Sequence, residues 1–303
     1  MVTRYVRRNV TWVDCVSPTQ TEVRALMREF DIDPLIAEEL LLPSYKPKVE
    51  RRESIIYVIL RFPLLRGANR SPEQEVDFVI GKQFLITTRY EQIDPLHLFA
   101  KAFEVEAVLG HDNTTTHGGH LFVAMVANLY RALTNSCDIV NQRLHDIEEH
   151  IFKGDEKRMV AQLSQVGRTI HDFRQTLVPH DEMLKSLEPT GTRFFGPEFS
   201  YHVRDLVGTY ERIERTLGNL HDSLNELRET NNSLLSTKQN EIMKTLTVLA
   251  FFFFPLTLIT SLFGMNTEHI PLADNPYDFW IVSGGMLITA LGCFLYFKHK
   301  DWL

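Results

Sequence analysis

Two uncharged apolar stretches near the C-terminal end constrain this chain more than any other feature. Residues 245–263 (TLTVLAFFFFPLTLITSLF) and 279–297 (FWIVSGGMLITALGCFLYF) each contain 19 residues without an acidic or basic side chain. As a helix, each would be about 28 Å long at ~1.5 Å per residue, which matches a hydrocarbon core of about 30 Å. A run such as FFFFPLTLI, apolar on all sides, would need a very large core in a soluble protein. We therefore predict two transmembrane helices.

The charges that flank these stretches predict how the chain is oriented. The loop at 264–278 contains the acids Glu268, Asp274 and Asp278 and no Lys or Arg, whereas the tail at 298–303 contains two lysines. No signal peptide is recognisable in the first residues, MVTRYVRRNV. The positive-inside rule then places both termini in the cytosol and the short loop outside. We expect a multi-pass protein of the cell (inner) membrane.

A long helix is predicted to lead into the first span, because no proline occurs between Pro197 and Pro255. Apolar side chains recur there in steps of 3, 4 or 7 residues, which is the spacing of a coiled-coil seam. They are Leu206, Tyr210, Ile213, Leu217, Leu220, Leu224, Leu227 and Leu234, with Asn231 interrupting the series. We predict one nearly continuous helix about 100 Å long, with 198–244 as a stalk and 245–263 as the first span. The alternative is a soluble helix that ends near Asn231.

A stripe of polar residues follows one face of the first span. Asn240, Thr247, Phe254, Thr257 and Ser261 are 7, 7, 3 and 4 residues apart, so they share a face. Polar groups within a membrane are costly and usually face another helix or water. The stripe therefore favours a pore lining, although hydroxyls bonded back to their own helix would give the same pattern. Two spans cannot enclose a pore, so conduction needs a ring of several copies; a simple membrane anchor is the other possibility.

The remainder of the chain predicts a mixed α/β domain at 1–112 and a helical hairpin at 113–197. Expected strands lie in TRYVRRNVTWVDC, SIIYVILRF, EVDFVIG and KQFLITTRY, and expected helices in TQTEVRALMREF, DPLIAEELLL and 95–109. Gly81-Lys82 is the predicted hairpin turn between two of these strands. The hairpin helices are expected at 119–152 and 156–187, and the hairpin is expected to end at Pro189-Thr190-Gly191.

Several functional classes find no support in the sequence. The net charge of −7, from 32 basic and 39 acidic residues, argues against nucleic-acid binding. The three cysteines are far apart and form no CxxC pair, so we expect neither a disulfide framework nor a cysteine zinc site. No GxGxxG, GxxxxGK[ST] or GxSxG motif occurs, so we do not expect an enzyme or an organic cofactor. The segment HDNTTTHGGH contains His111, His117 and His120, but its polar, Gly-containing sequence favours a loop over a metal site.

Gly264-Met265-Asn266 directly follows the first span, between two C-terminal spans. The motif is preceded by Asn240-Glu241-Ile242-Met243-Lys244 and Pro255-Leu256-Thr257, and the chain ends in a basic tail. In this setting the chain resembles the CorA family of divalent-cation channels. The resemblance implies a funnel-shaped homopentamer in the lipid bilayer. In it, first spans line the pore, second spans surround them, and the α/β domains hang in the cytosol on the long helices.

The resemblance also assigns roles to individual residues. Asn266 would form an outer ring that receives hydrated Mg²⁺, next to Gly264 and Met265, and the loop acids would raise the local cation concentration. The positions that match the family's pore are Asn240, Met243, Leu246, Thr247, Phe254 and Thr257, to which the stripe adds Ser261. Phe254 departs from the methionine that the family often has there.

Regulation by cytosolic Mg²⁺ is a further property that the resemblance implies. By this resemblance, regulatory Mg²⁺ would bridge Glu39 of one chain and Asp205 of a neighbouring chain. The family commonly has an aspartate where this chain has Glu39. The expected substrate is Mg²⁺, with Co²⁺ or Ni²⁺ as additional ions. Two alternatives stay open: a Zn²⁺ transporter of the related zinc branch, which usually departs from Gly-Met-Asn, and a membrane-anchored sensor or scaffold that does not conduct.

Overall fold

A computed structural model describes residues 1–7, 9–44, 46–63, 65, 73–91, 93–109, 117–265, 276–300 and 302. These residues form two compact units, Met1–Arg228 and Glu229–Leu303, which are described separately.

A six-stranded sheet forms the centre of the first unit. Its strands are β1 (Val2–Arg7), β2 (Val10–Val16), β3 (Lys48–Arg51), β4 (Ile56–Pro63), β5 (Glu73–Ile80) and β6 (Phe84–Arg89). Their order is β1-β2-β6-β5-β4-β3; β2 and β6 run parallel and all other neighbours antiparallel. The predicted turn at Gly81-Lys82 is confirmed, with Gly81 N–H donating to the carbonyl of Phe84 at 2.9 Å. The short strand β3 was not among the strands expected from the sequence.

Helices cover both faces of this sheet. On one face α1 (Gln20–Phe30) and α2 (Pro34–Glu39) bury Val23, Leu26 and Ile36 against strand residues such as Tyr57. On the other face α3 (Asp94–Leu109), α4 (Gly118–Phe152) and α5 (Glu156–Phe195) pack on the sheet. Phe78 of β5, for example, meets Phe122 of α4 edge-on at 5.0 Å between ring centroids. Burial on both faces explains why the central strands read as nearly continuous apolar runs.

Local sequence signals account for the starts of the two short helices. Thr19 caps α1 through a capping box, in which its side chain accepts from Glu22 N–H and its own N–H donates to Glu22. Asp33 caps α2 by accepting from Leu35 N–H at 2.8 Å, and Pro34 occupies the first helical position. Glu39 is the last residue of α2.

The prediction that the second hairpin helix ends at residue 187, just before Pro189, is wrong, because α5 continues to Phe195 through Pro179 and Pro189. An internal proline removes one hydrogen bond and costs about 3 kcal/mol. Tertiary packing offsets that cost here: Leu187 and Gly191 are buried, and Gly191 lies so close to the ring of Phe199 that an added Cβ would overlap it.

The long helix is confirmed: α6 extends without interruption from Glu198 to Phe263, a length of 66 residues. Within the first unit its apolar seam packs antiparallel to α5, as the closeness of Gly167 to Leu224 and of Gly191 to Phe199 indicates. The alternative that the helix ends near Asn231 is therefore wrong. The seam residues buried in this unit are Leu206, Tyr210, Ile213, Leu217, Leu220, Leu224 and Leu227.

The second unit contains the rest of α6 and the helix α7 (Asp278–His299). Both helices have an 18-residue window apolar enough to cross a membrane, and nearly all of each window is unburied. A soluble core helix would be covered, so this exposure of apolar surface fits lipid or further protein as the surroundings.

Candidate functional site

The predicted polar stripe lies on one side of the apolar part of α6. At about 100° per residue the candidate pore positions fall within an arc of about 120°. Six of the seven are exposed in the single chain and Thr247 is half-buried; Phe254, for example, is 74% exposed. These positions are Asn240, Met243, Leu246, Thr247, Phe254, Thr257 and Ser261.

The opposite side of the same helix is the covered one. Val248 is buried, and Phe252, Pro255, Leu256 and Ile259 are half-buried; these positions centre about 180° away from the candidate stripe. Phe297 of α7 is buried as well and its ring centroid lies 6.3 Å from that of the neighbouring Phe251. Within one chain, therefore, α7 does not cover the polar stripe.

The threonine hydroxyls of the stripe bond back to their own helix. Thr247 Oγ1 donates to the carbonyl of Met243 at 2.7 Å, and Thr257 Oγ1 donates to the carbonyl of Phe253 at 2.9 Å. This is the alternative explanation that the spacing left open. It is compatible with a pore, because a hydroxyl whose hydrogen is engaged has only acceptor lone pairs left.

Gly264 and Met265 follow the end of α6 directly. Gly264 N–H donates to the carbonyl of Thr260 at 2.9 Å, and Met265 is exposed. Asp278 begins α7, where its Oδ1 accepts from the N–H of Phe279. The other predicted members of this region, Asn266, Glu268 and Asp274, lie outside the described residues.

Glu39, the first predicted regulatory acid, forms an ion pair within its own domain. Lys48 Nζ on β3 lies 2.9 Å from Glu39 Oε1 and 2.6 Å from Glu50 Oε2, and 5.5 Å from the centre of the Tyr57 ring. Partial burial by itself would lower the pKa of Lys48. The hydrogen bonds to Glu50 and Glu39 outweigh the effect of burial, so the pKa is raised overall. Lys48 therefore remains a cation beside Glu39.

Asp205, the second predicted regulatory acid, is exposed on α6. It lines a groove of about 480 Å³ between α4 and α6, together with Arg131, Thr209 and Arg212. Arg212 donates to Thr209 Oγ1 at 3.0 Å rather than to Asp205, and in the described part of the chain no basic group lies within ion-pair distance of this carboxylate. Of the two carboxylates, Glu39 is ion-paired and Asp205 has no ion-pair partner among the residues that the structure describes.

Next to Glu39 lies the buried carboxylate of Asp77, which was not predicted as a site residue. Asp77 on β5 is fully buried, and its Oδ2 accepts from Tyr90 at 3.1 Å and from Tyr57 at 3.4 Å. Burial and the nearby charge of Glu75 raise its pKa, despite these hydrogen bonds. Tyr90 also donates to the backbone carbonyl of Glu39 at 3.3 Å, so the network fixes the end of α2.

Three histidines converge near the start of α4, although only two belong to the predicted loop. His117 stacks on His120 with ring centroids 3.8 Å apart, and His202 of α6 lies 4.8 Å from His120. His117 caps α4 by accepting from His120 N–H, and burial lowers the pKa of His117 to about 4. Among the described residues no cluster of three His, Cys, Asp or Glu has metal-binding geometry; His111 lies outside them.

Comparison with known proteins identifies the family of this chain. The family model described as "CorA-like Mg2+ transporter protein" matches residues 8–299. The chain belongs to this family. It is therefore a member of a family of membrane proteins that transport Mg²⁺ and Co²⁺, and its two candidate spans agree with that setting.

Individual relatives extend over nearly the whole chain. The Cobalt/magnesium transport protein CorA of Thermotoga maritima is 25% identical over 299 residues, covering 97% of this chain and 83% of that protein. The Zinc transport protein ZntB of Pectobacterium atrosepticum is 22% identical, covering 96% of this chain and 88% of that protein. The complete structure of the CorA magnesium transporter from Methanocaldococcus jannaschii has the same fold, with a TM-score of 0.84 at 20% identity, over 97% of this chain and 92% of that one.

Proposed function

We propose that the protein is a passive channel for divalent cations, most of all Mg²⁺, built as a homopentamer around five copies of α6. Membership of the family supports transport of a divalent cation. The single observation that carries the proposal further is the polar stripe on α6, which lies on the side that α7 leaves uncovered. In a ring of chains that side can face a common axis, and α7 can face lipid.

The chemistry of the stripe suits a hydrated cation. Asn240, Thr247 and Thr257 offer neutral oxygens, and the threonine hydrogens are engaged within the helix. Mg²⁺ releases its water reluctantly, so acceptors for the hydrogens of bound water are better suited than strong direct ligands. Weak and repeated sites also permit the ion to leave, as conduction requires.

Asn266 would act at the outer mouth as a ring of amide oxygens, with Gly264 and Met265 beside it. Glu268, Asp274 and Asp278 would concentrate cations there, because like-signed clusters raise the local concentration of counter-ions. Phe254 would add an aromatic constriction within the pore. The inside-negative potential would drive uptake, supplying about 4.6 kcal/mol per divalent ion at about 100 mV.

Both termini would lie in the cytosol of a cell with an inside-negative membrane. The exposed Tyr277 and Trp280 at the start of α7 fit the outer interface, and the exposed Tyr296 and Trp302 the inner one. Lys298 and Lys300 at the other end follow the positive-inside rule.

Inhibition by cytosolic Mg²⁺ would occur between neighbouring chains, where the ion bridges Glu39 of one chain and Asp205 of the next. Asp205 is available for this role because it has no basic partner in the described residues, whereas Glu39 must first give up Lys48. The double variant Glu39→Gln, Asp205→Asn should conduct without inhibition by internal Mg²⁺. Retained inhibition in this variant would refute the site.

Ion flux into proteoliposomes tests conduction itself. Mg²⁺, Co²⁺ and Zn²⁺ are compared in parallel, with and without a membrane potential, for the wild type and for Asn266→Ala. A potential-driven Mg²⁺ flux that Asn266→Ala abolishes is expected. A non-conducting sensor or scaffold would give no flux in either protein.

A zinc transporter is the second candidate, favoured by the similarity to ZntB over 96% of this chain. In the same experiment it would give Zn²⁺ flux well above Mg²⁺ flux. Gly264-Met265-Asn266 argues against this outcome, since the related zinc branch usually departs from this motif.

A further inference from the structure

A basic depression lies on the first unit. It has a volume of about 600 Å³, and its cations are Arg51, Lys82 and Arg193. They come from three elements: the last residue of β3, the turn between β5 and β6, and the last turn of α5. Its remaining lining residues are Glu53, Ser54, Gln83, Phe84 and Phe194.

Among the described residues, the three cations of the depression have no ion-pair partner. Within the described part of the chain, no carboxylate lies within 4.0 Å of Arg51, Lys82 or Arg193. The contacts that Arg51 and Lys82 do make are with the ring of Phe194, at 5.9 Å to its centroid in both cases. By contrast, the neighbouring Arg52 is paired with Glu50 at 2.5 Å.

The floor of the depression is rigidly supported. Phe194 packs edge-on against Phe195 at 4.7 Å, and Phe195 continues to Phe199 at 4.9 Å. The backbone carbonyl of Lys82 accepts from Gly118 N–H at 3.0 Å, which holds the turn against the start of α4. The backbone positions next to these contacts are thus held in place, which lowers the entropy cost of binding a ligand.

Compensation of a helix dipole does not explain this cluster. Arg193 is placed in the last turn of α5, where a cation is favourable on its own account. Arg51 ends a strand and Lys82 lies in the turn between two strands, so that reason does not apply to them. The depression is lined by these three cations and by one acid, Glu53, so its charge is positive in a chain whose net charge is −7. The like charges repel each other, and a bound anion would relieve this repulsion.

We propose that the basic depression binds a polyphosphate, with the charge of a triphosphate and room for an attached nucleoside. Two guanidinium groups can each bond phosphate oxygens in the bidentate manner, and Lys82 adds a point charge. A ligand with a single phosphate group can satisfy only part of this set, so a triphosphate binds more tightly than inorganic phosphate. The volume lies within the roughly 300–1,000 Å³ range of small-molecule sites.

The test is calorimetric titration of the detergent-solubilised full chain at physiological ionic strength, without divalent cations, because polyphosphates chelate them. The probes are inorganic phosphate, inorganic tripolyphosphate, ATP and adenosine. The test variant is Arg51→Gln, Lys82→Gln, Arg193→Gln. Its control is Arg24→Gln, Arg28→Gln, Lys46→Gln, which removes the same charge from exposed residues without ion pairs in the described part of the chain. Arg28 matches Arg193 because it also lies in the last turn of a helix.

Saturable binding of tripolyphosphate, tighter than that of phosphate, is expected. The test variant should weaken it at least about tenfold, and the control less than about twofold. Equal affinity for ATP and tripolyphosphate identifies the phosphates as the recognised group, and adenosine should not bind. Lys82→Gln alone, an exposed substitution, should weaken binding about two- to threefold if the triple variant fails to fold. Absence of saturable tripolyphosphate binding, equal losses in the two triple variants, or binding of adenosine would overturn the proposal.

Discussion

Replacing Lys48 with glutamine is expected to make the protein more sensitive to cytosolic Mg²⁺, if Glu39 is the regulatory acid. Lys48 Nζ lies 2.9 Å and 3.3 Å from the two carboxylate oxygens of Glu39. A divalent ion that binds this carboxylate must compete with the ammonium group. Lys48→Gln removes the competing charge and leaves a neutral side chain of similar length.

The magnitude follows from the exposure of the pair. The side chains of Lys48 and Glu39 are 34% and 35% exposed, so solvent screens their attraction and the pair contributes about 0.5–1 kcal/mol. Because about 1.4 kcal/mol corresponds to tenfold in affinity, the half-inhibitory Mg²⁺ concentration should fall about two- to fivefold. Glu50→Gln should raise the half-inhibitory Mg²⁺ concentration, because Lys48 then pairs with Glu39 alone.

The assay is initial Mg²⁺ flux in proteoliposomes against the Mg²⁺ concentration on the cytosolic side. Lys46→Gln is the control, because Lys46 is exposed, carries the same charge and forms no ion pair within the described residues. An unchanged half-inhibitory concentration in Lys48→Gln would refute the competition even if Glu39→Gln abolishes inhibition. If Glu39→Gln has no effect either, the regulatory site itself is wrong.

Two further predictions concern stability. Burial lowers the pKa of His180 from 6.5 to about 4 despite its bond to the carbonyl of Arg61. The neutral His180 therefore contributes its full stability above its pKa in the unfolded chain, 6.5. This contribution is lost as the pH falls through its pKa in the folded protein, about 4. The wild type should lose about 3 kcal/mol more than His180→Gln between pH 6.5 and 4, and equal losses in denaturant titrations would contradict this. Gly118→Ala should cost about 1–3 kcal/mol, because a Cβ there overlaps the carbonyl oxygens of Phe84 and Gly81. Gly208→Ala, where nothing lies within 4 Å, is its control; a similar melting temperature for both variants would be inconsistent with the packing.

Proline shows where local sequence rules reach their limit. A helix that stops at residue 187 was expected because Pro189 lacks a backbone donor, yet α5 continues to Phe195. Its last turns are held by Leu187 and by the close approach of Gly191 to Phe199, a residue of another helix. A helix end depends on such contacts when they outweigh a local cost of a few kcal/mol, and the sequence around Pro189 does not contain them.

The sequence by itself determined the features that repeat along one helix. The two apolar spans, the continuity of α6 and the face shared by Asn240, Thr247 and Thr257 all follow from composition and spacing within a single segment. Only the tertiary structure decided which distant residues meet. Lys48 reaches Glu39, Tyr90 joins Glu39 to the buried Asp77, and Arg51, Lys82 and Arg193 line one depression. Such contacts are set by strand order and by helix packing on the sheet, and no local periodicity encodes them.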